Sequence, residues 1–204
     1  QIRTRQSCNV VYREDDFRIK KLPDDKLTEM KITVYDNLLK NKEMNIKNNL
    51  KNLSPKFYKI FENMEKFIDR SSKKSKGKIL FYSDFRSDAG SEAFELALRS
   101  NGYEPFDSNK PQNTKYLRYT FVTGKETSEI RKTNLKNYNS DDNKHGEYIQ
   151  IMIISSAGAE GLSLTNVRQV HILEPYWNYV RIGQVLGRAI RMRSHKSLDR
   201  SDQN

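Results

Sequence analysis

The chain has 204 residues, enough for one domain with an appendage and for a real buried core. Its 37 Lys and Arg against 26 Asp and Glu leave a formal charge of +11, which points to a polyanionic partner, nucleic acid first; because the charge is spread along the chain, a merely soluble surface would give the same balance. The single cysteine, Cys8, excludes an internal disulfide framework, and no apolar run approaches the roughly 20 residues of a membrane span. With no signal-like start, these features imply a reducing intracellular compartment and no membrane partner. The chain opens on Gln1 without Met and stops shortly after Arg191, so it reads as a fragment of something longer.

Residues 1–24 are polar apart from Val10-Val11-Tyr12, an extended arm or edge strand. Leu27, Met30, Ile32, Val34, Leu38 and Leu39 predict a helix as far as Leu39. The Asn/Lys-rich stretch Asn41 to Asn52 reads as frayed or looped. Ser54-Pro55 opens the next helix, with Ser as N-cap and Pro at the first helical position. Phe57, Ile60, Phe61, Met64, Phe67 and Ile68 recur at helical spacing over roughly four turns, a stripe that reads as core. Ser71 to Gly77 reads as a flexible basic linker.

From Lys78 the pattern alternates. Ile79 to Tyr82 reads as a buried strand and Asp84 to Asp88 as a turn. Ala89 to Ser100 reads as a helix, stopped by Gly102. Tyr103 to Phe106 and Tyr116 to Val122 read as strands separated by a polar loop, Asp107 to Lys115. Glu126 to Tyr138 reads as a charged helix and Asn139 to Glu147 as a polar loop. Ile149 to Ile154 is β-branched and nearly continuous, as a central parallel strand should be. A small-residue turn, Ser155 to Gly161, follows it. Val167 to Leu173 reads as a strand leading through Glu174-Pro-Tyr-Trp177-Asn178 to a last helix. The expectation is an α/β fold from about residue 78, a parallel sheet with helices on both faces.

In such sheets ligands bind outside the carboxyl ends of the strands. Four stretches fall there: Ser83 to Arg86, Thr123-Gly124, Ser155 to Gly161, and the loop after Leu173. Small residues let backbone N–H groups approach phosphate oxygens. A tight turn explains any one of them; all four upstream of a helix bearing Gln184-Val-Leu-Gly-Arg188-Ala-Ile-Arg191 are harder to dismiss in that way. There two arginines about one helical turn apart can reach one anion together; the bland alternative is a basic helix end facing water. No G-x-x-x-x-G-K-[ST] phosphate loop and no G-x-S-x-G elbow is present. Cys8, His145, His171 and His195 lack metal-ligand spacing, so no metal site is expected. His171 reads as a core histidine and Asp141-Asp142 as a solvated pair. The chain therefore carries part of an anion site.

These residues resemble the signature of superfamily 2 helicases and translocases. Ser155-Ser-Ala-Gly-Ala-Glu-Gly-Leu-Ser-Leu164 resembles motif V, and Gln184-x-x-Gly-Arg188-x-x-Arg191 resembles motif VI. Lys78 to Arg86 is similar to motif IV, and Thr123-Gly124 with its charged helix to motif IVa. Glu174-Pro-Tyr-Trp177-Asn178 is similar to a stretch of Swi/Snf-type ATPases. Over roughly residues 54–195 the wording is similar to the helicase-type ATPases of nucleocytoplasmic large DNA viruses, of the poxvirus nucleoside triphosphatase I and early transcription factor small subunit type.

The resemblance implies a RecA-like second lobe over residues 54–204, preceded by an N-terminal arm and helical, basic segment over residues 1–53. It implies that ATP with Mg2+ sits against a first RecA-like lobe that carries the phosphate loop and the Mg ligands. It implies Arg191 as arginine finger on the γ-phosphate, Arg188 beside it, and Gln184 coupling the lobes. Gly161 and Ser163 fall where motif V meets the nucleotide, although Ser163 stands where many helicases have Asp, which weakens a ribose contact. Phe85, Arg86, Thr123, Gly124, Ser155 and Ser156 fall on the nucleic-acid track. The partners implied are DNA or RNA, the first lobe and transcription machinery, in host cytoplasm or virion if the protein is viral. This fragment alone, lacking a phosphate loop, is expected to be inactive. The alternatives from other classes are a non-hydrolysing nucleic-acid or partner-binding RecA-like module and a structural α/β domain with a basic surface.

Overall fold

The computed structural model describes residues 8–11, 35–72, 74–87, 89–110, 116–159, 161–175, 179–189, 194–196 and 198, with backbone alone at residues 159, 181, 188 and 189. Residues 35–40 form a short helix, α1, and Leu50–Leu53 a single turn, α2. Helix α3 spans Pro55–Glu65, and the Ser54 hydroxyl caps it by accepting the Phe57 N–H at 3.1 Å. The predicted stripe is core, but the helix is a turn shorter than its spacing suggests. Ile68–Asp69 (β1) pairs antiparallel with Lys74–Ser75 (β2), so the described part of the 71–77 stretch belongs to a hairpin where a flexible linker was expected. The Asp69 carboxylate closes it, accepting the Ser71 N–H and the hydroxyls of Ser71 and Ser72, an Asx turn that composition alone does not reveal.

Strands β3 (Lys78–Tyr82), β4 (Tyr103–Pro105), β5 (Leu117–Val122), β6 (Ile151–Ile154) and β7 (Val167–Ile172) form one sheet in the order β4-β5-β6-β3-β7, all pairs parallel. Helix α4 (Ser91–Ser100) follows β3, α5 (Ser128–Asn139) follows β5, a four-residue turn α6 (Ser156–Ala159) follows β6, and α7 (Tyr179–Ala189) follows β7. The Ile149–Ile154 run lies in the centre of the sheet, as its unbroken apolar character predicts. The small-residue stretch after it forms α6, where a plain turn was expected.

Alternation along the strands divides the core. Ile79, Phe81, Ile151 and Ile153 face one layer with Phe57 and Phe61 of α3 and Phe94 of α4. Leu80, Tyr82, Met152 and Ile154 face the other, with Tyr138 of α5 and Val185 of α7. Period two thus places helices on both faces of the sheet. The rings of Phe81 and Phe94 stack at 3.8 Å between centroids.

The upstream residues belong to the first layer. Val10, Met44, Leu50 and Leu53 are buried in it. Residues 41–49 are turns, as expected, but they are pinned. Asn45 donates to the Ser100 carbonyl at 2.8 Å, and Asn101 accepts the Ile46 N–H and donates to the Met44 carbonyl. The Val10–Val11 patch forms no strand of the sheet; Val11 donates its N–H to the Leu53 carbonyl. The expected helix between residues 25 and 34 and Tyr12 lie outside the described residues.

Candidate functional site at the strand ends

The register aligns the carboxyl ends of four strands: Tyr82 sits beside Ile154 and Ile172, and Val122 beside Ile154. The next residues, Ser83, Thr123, Ser155 and Leu173, therefore form one row across the sheet edge. All four predicted loops leave from this row. Parallel strands present the same end to the same side, so sequence-distant loops meet here without any long-range motif.

Three contacts knit the loops together. Gly158 comes so close to the end of β5 that a Cβ there would lie 2.0 Å from the Val122 carbonyl oxygen; any side chain would push the 155–161 stretch off Thr123. Gly161 takes φ +72, the left-handed region that turns the chain out of that stretch. Leu162 and Leu164 are then buried in the same apolar cluster as Val185 of α7. Ser163 between them is exposed, with its carbonyl accepting from Asn139 at 2.8 Å.

Arg86 is the second contact. Its guanidinium lies 3.9 Å from the Phe121 ring centroid, a cation–π stack. Its Nη2 is 3.6 Å from Glu126 and its Nε 3.8 Å from Glu92 at the start of α4. Lys125 reaches the same Glu92 oxygen at 2.6 Å. Nε and Nη1 of Arg86 are buried and make no hydrogen bond among the described residues, Nε facing Glu92 through the longer ion pair. Thr123 is buried, and its N–H and hydroxyl both donate to Glu126, at 2.6 and 2.7 Å. Glu126 thus receives Thr123 from one side and faces Arg86 on the other. Gly124 is exposed alongside.

The third contact is Glu174, at the end of β7 and almost fully buried. Its carboxylate accepts the Asp84 N–H at 2.9 Å, the Ser83 hydroxyl at 3.0 Å and the Asn9 side-chain amide at 2.6 Å. Burial pushes its pKa up, while these hydrogen bonds pull the other way. Phe85 is half-buried; its carbonyl accepts the Ser91 N–H and its N–H bonds the Ser83 hydroxyl.

The remaining predicted residues distribute as follows. Ser155 is buried with its hydroxyl accepting the Gly158 N–H at 3.4 Å, and Ser156 is half-buried at the head of α6. Gln184 is exposed on α7, and Arg188 lies in its last turn, described by backbone only. Arg191, Trp177 and Asn178 lie outside the described residues. His171 is held near 4 by burial, hence neutral, with Nε2 3.2 Å from the Gln169 side-chain oxygen.

Glu126, Glu92, Glu174 and Asn9 were not singled out from the residues. Glu126 was legible: Thr123-x-x-Glu126 repeats the spacing by which a carboxylate reaches back to a hydroxyl residue three positions earlier. Asn9 carried no signal, being 165 residues from its partner.

Comparison with known proteins bears on the family. The pattern of the helicase conserved C-terminal domain family matches residues 59–193. The chain is 30% identical over 201 residues to a protein of Acanthamoeba polyphaga mimivirus named "Putative ATP-dependent RNA helicase R563", covering 97% of this chain and 30% of that one. It is 49% identical over 86 residues to an African swine fever virus termination factor NPH-I homolog, covering 42% of this chain and 12% of that one. It is 33% identical over 123 residues to a killer plasmid pGKL-2 helicase of Kluyveromyces lactis, covering 60% and 20%. The chain thus spans less than a third of the length of these relatives.

Proposed function

The chain belongs to the helicase conserved C-terminal domain family, and from that premise we propose that it is the second RecA-like lobe of a nucleic-acid-dependent ATPase working in viral transcription. The observation that supports this reading is the single row of strand-end loops with the Arg86 guanidinium held inside it between Glu92 and Glu126. Backbone N–H groups, hydroxyls and a guanidinium at one sheet edge recognise phosphates without reading bases, which suits a motor that moves along any sequence. Phe85, Arg86, Thr123, Gly124, Ser155 and Ser156 form the nucleic-acid side of this reading. Its nucleotide side is made by Gly161, Ser163, Gln184, Arg188 and Arg191.

ATP lies between this lobe and a first lobe that supplies the phosphate loop. Arg191 is the finger that stabilises charge on the transferring phosphoryl group, with Arg188 beside it. Hydrolysis then depends on lobe closure, and such fingers contribute about 10³ to 10⁵ in rate. Mg2+ belongs to the first lobe in this scheme; among the described residues no three His, Cys, Asp or Glu side chains converge to hold a metal ion. Among the same residues no helix is long and apolar enough to cross a membrane. The transcription assignment draws on the name of the swine fever virus relative.

The test is Arg191→Ala in the full-length parent. ATP turnover should fall by about 10³-fold or more while equilibrium ATP binding stays within a few-fold. Turnover near the unmodified level would overturn the reading.

A further inference from the structure

Asn9 lies far from every sequence motif, yet it is 1% exposed and its side chain is fully engaged. Its amide nitrogen donates to Glu174 at 2.6 Å and to the Ala89 carbonyl at 3.1 Å. Its amide oxygen accepts from the Lys56 ammonium at 2.9 Å. Two acceptors on one side and a cation on the other leave a single sensible amide orientation. Its own carbonyl accepts the Ser54 hydroxyl, the same group that caps α3. Lys56 also reaches the Leu173 carbonyl at 3.5 Å, closing a ring around the end of β7.

Glu174 is the junction that this ring holds. One carboxylate oxygen takes Asn9 and Ser83, and the other takes the Asp84 N–H. The 83–86 stretch is thereby tied to the residue from which the chain leaves β7 towards α7. The first is the nucleic-acid side of the proposed site; the second leads to Gln184 and Arg188. A buried carboxylate is stable as an anion only if its hydrogen bonds are kept. Asn9 supplies one of three, and it brings Lys56 into range.

We propose that Asn9 is a positioning residue: it clamps Glu174 so that the nucleic-acid loop at Ser83–Arg86 and the end of β7, from which the chain leaves for α7, move as one body. This rests on the motor reading above. Nucleic acid seated on Arg86 then shifts α7 through Glu174, and the clamp comes from a segment upstream of the matched domain.

The experiment uses the full-length parent with Asn9→Ala, Asn9→Asp, Glu174→Gln and the double variant Asn9→Asp/Glu174→Gln. Amide hydrogen exchange is followed with the ratio of ATP turnover with and without single-stranded nucleic acid. In Asn9→Ala, exchange should rise together in residues 83–86 and 179–189 and stay unchanged in residues 135–150 at the opposite sheet end. The stimulation ratio should fall about fivefold or more, with basal turnover and the KM for ATP held within twofold. Asn9→Asp sets two carboxylates together and should be the worst single variant. The double variant restores a donor–acceptor pair, because Gln at 174 can donate to Asp at 9, and should recover much of the ratio.

A uniform change in exchange, or none, overturns the proposal. So does a lowered melting temperature with the stimulation ratio intact, or a double variant no better than Asn9→Asp. If Asn9→Asp does not fold, Asn9→Ala and Glu174→Gln carry the exchange and stimulation arms, and an intact ratio in either overturns the proposal. If the unmodified protein shows no stimulated turnover, the motor reading fails by itself, and the exchange pattern alone decides whether Asn9 couples the two segments.

Discussion

The two ends of the parallel sheet are both rich in buried polar groups, but they are wired differently. At the amino end, side chains bond main chain. Lys78 donates to the Tyr138 carbonyl at 2.6 Å and lies 4.6 Å from that residue's ring centroid. Asn143 donates to the carbonyls of Tyr138 and Ile149 and accepts the N–H groups of Tyr148 and Ile149. Gln150 accepts the Arg118 N–H and donates to the Gly146 carbonyl. At the carboxyl end main-chain groups are bonded as well, among them the N–H groups of Asp84 and Thr123, but side chains also meet one another and charges dominate: Asn9 with Glu174, Arg86 with Glu92 and Glu126, Thr123 with Glu126. A bond to main chain is given up only when the loop itself comes apart. A carboxylate 3.6 Å from a guanidinium can yield to a better-placed anion. On the proposed reading, the carboxyl end is where such an exchange would take place.

The comparison is broken most severely at the amino end. Asn143→Ala removes the side-chain partner of the Ile149 carbonyl and of the Tyr148 and Ile149 N–H groups, while the Tyr138 carbonyl keeps Lys78, and should cost about 3 kcal/mol of stability, read from urea unfolding. Turnover per folded molecule of the parent should be preserved. A loss of activity without a loss of stability would mean the two ends are not separable.

Lys78 gives a smaller, pH-shaped effect. Burial lowers its pKa from 10.5 to about 7. The unfolded chain therefore binds a proton that the native state lacks between about pH 7 and 10.5, and the contribution of this group to stability rises with pH across that window. Its slope is at most about 1.4 kcal/mol per pH unit. Lys78→Met should flatten the profile in that range, as followed by thermal unfolding at a series of pH values. An unchanged slope would show that the Tyr138 carbonyl and ring keep the ammonium charged.

The smallest effect sharpens the carboxyl end. Glu126→Gln removes the anion that Thr123 and Arg86 now face. Affinity for a single-stranded oligonucleotide should rise about three- to fivefold at low salt, by anisotropy titration of the parent. Weaker binding would show that Glu126 orients those donors for nucleic acid and does not compete with it.

The strand cores and the helix caps were legible because their causes are local. Ile149 to Ile154 is buried in full, so it needs no alternation and reads as central. Ser54-Pro55 starts a helix because a hydroxyl and a fixed φ act within one turn. The loop row was legible for the same reason, since strand ends fall wherever apolar runs stop. The 71–77 hairpin was not, because a single aspartate, Asp69, closes it and the composition around it reads as linker. Glu174 stood in a quoted stretch, but nothing in that stretch says that its carboxylate turns inward.

What the sequence by itself determined is the parallel α/β architecture, the position of the four loops and membership of a helicase domain family. The first two follow from period two, period 3.6 and short-range spacing; the third rests on the resemblance of residues 155–164 and 184–191 to the family's motifs, which the family match over residues 59–193 bears out. Only the tertiary structure decided which polar groups meet: Asn9 with Glu174 across 165 residues, Ser83 with Glu174 across 91, and Arg86 between two acids on different elements. The physical reason is that apolar burial repeats along the chain and leaves a pattern. A buried hydrogen bond between distant segments is a single event, satisfied by whichever donor the fold brings within 3 Å or so.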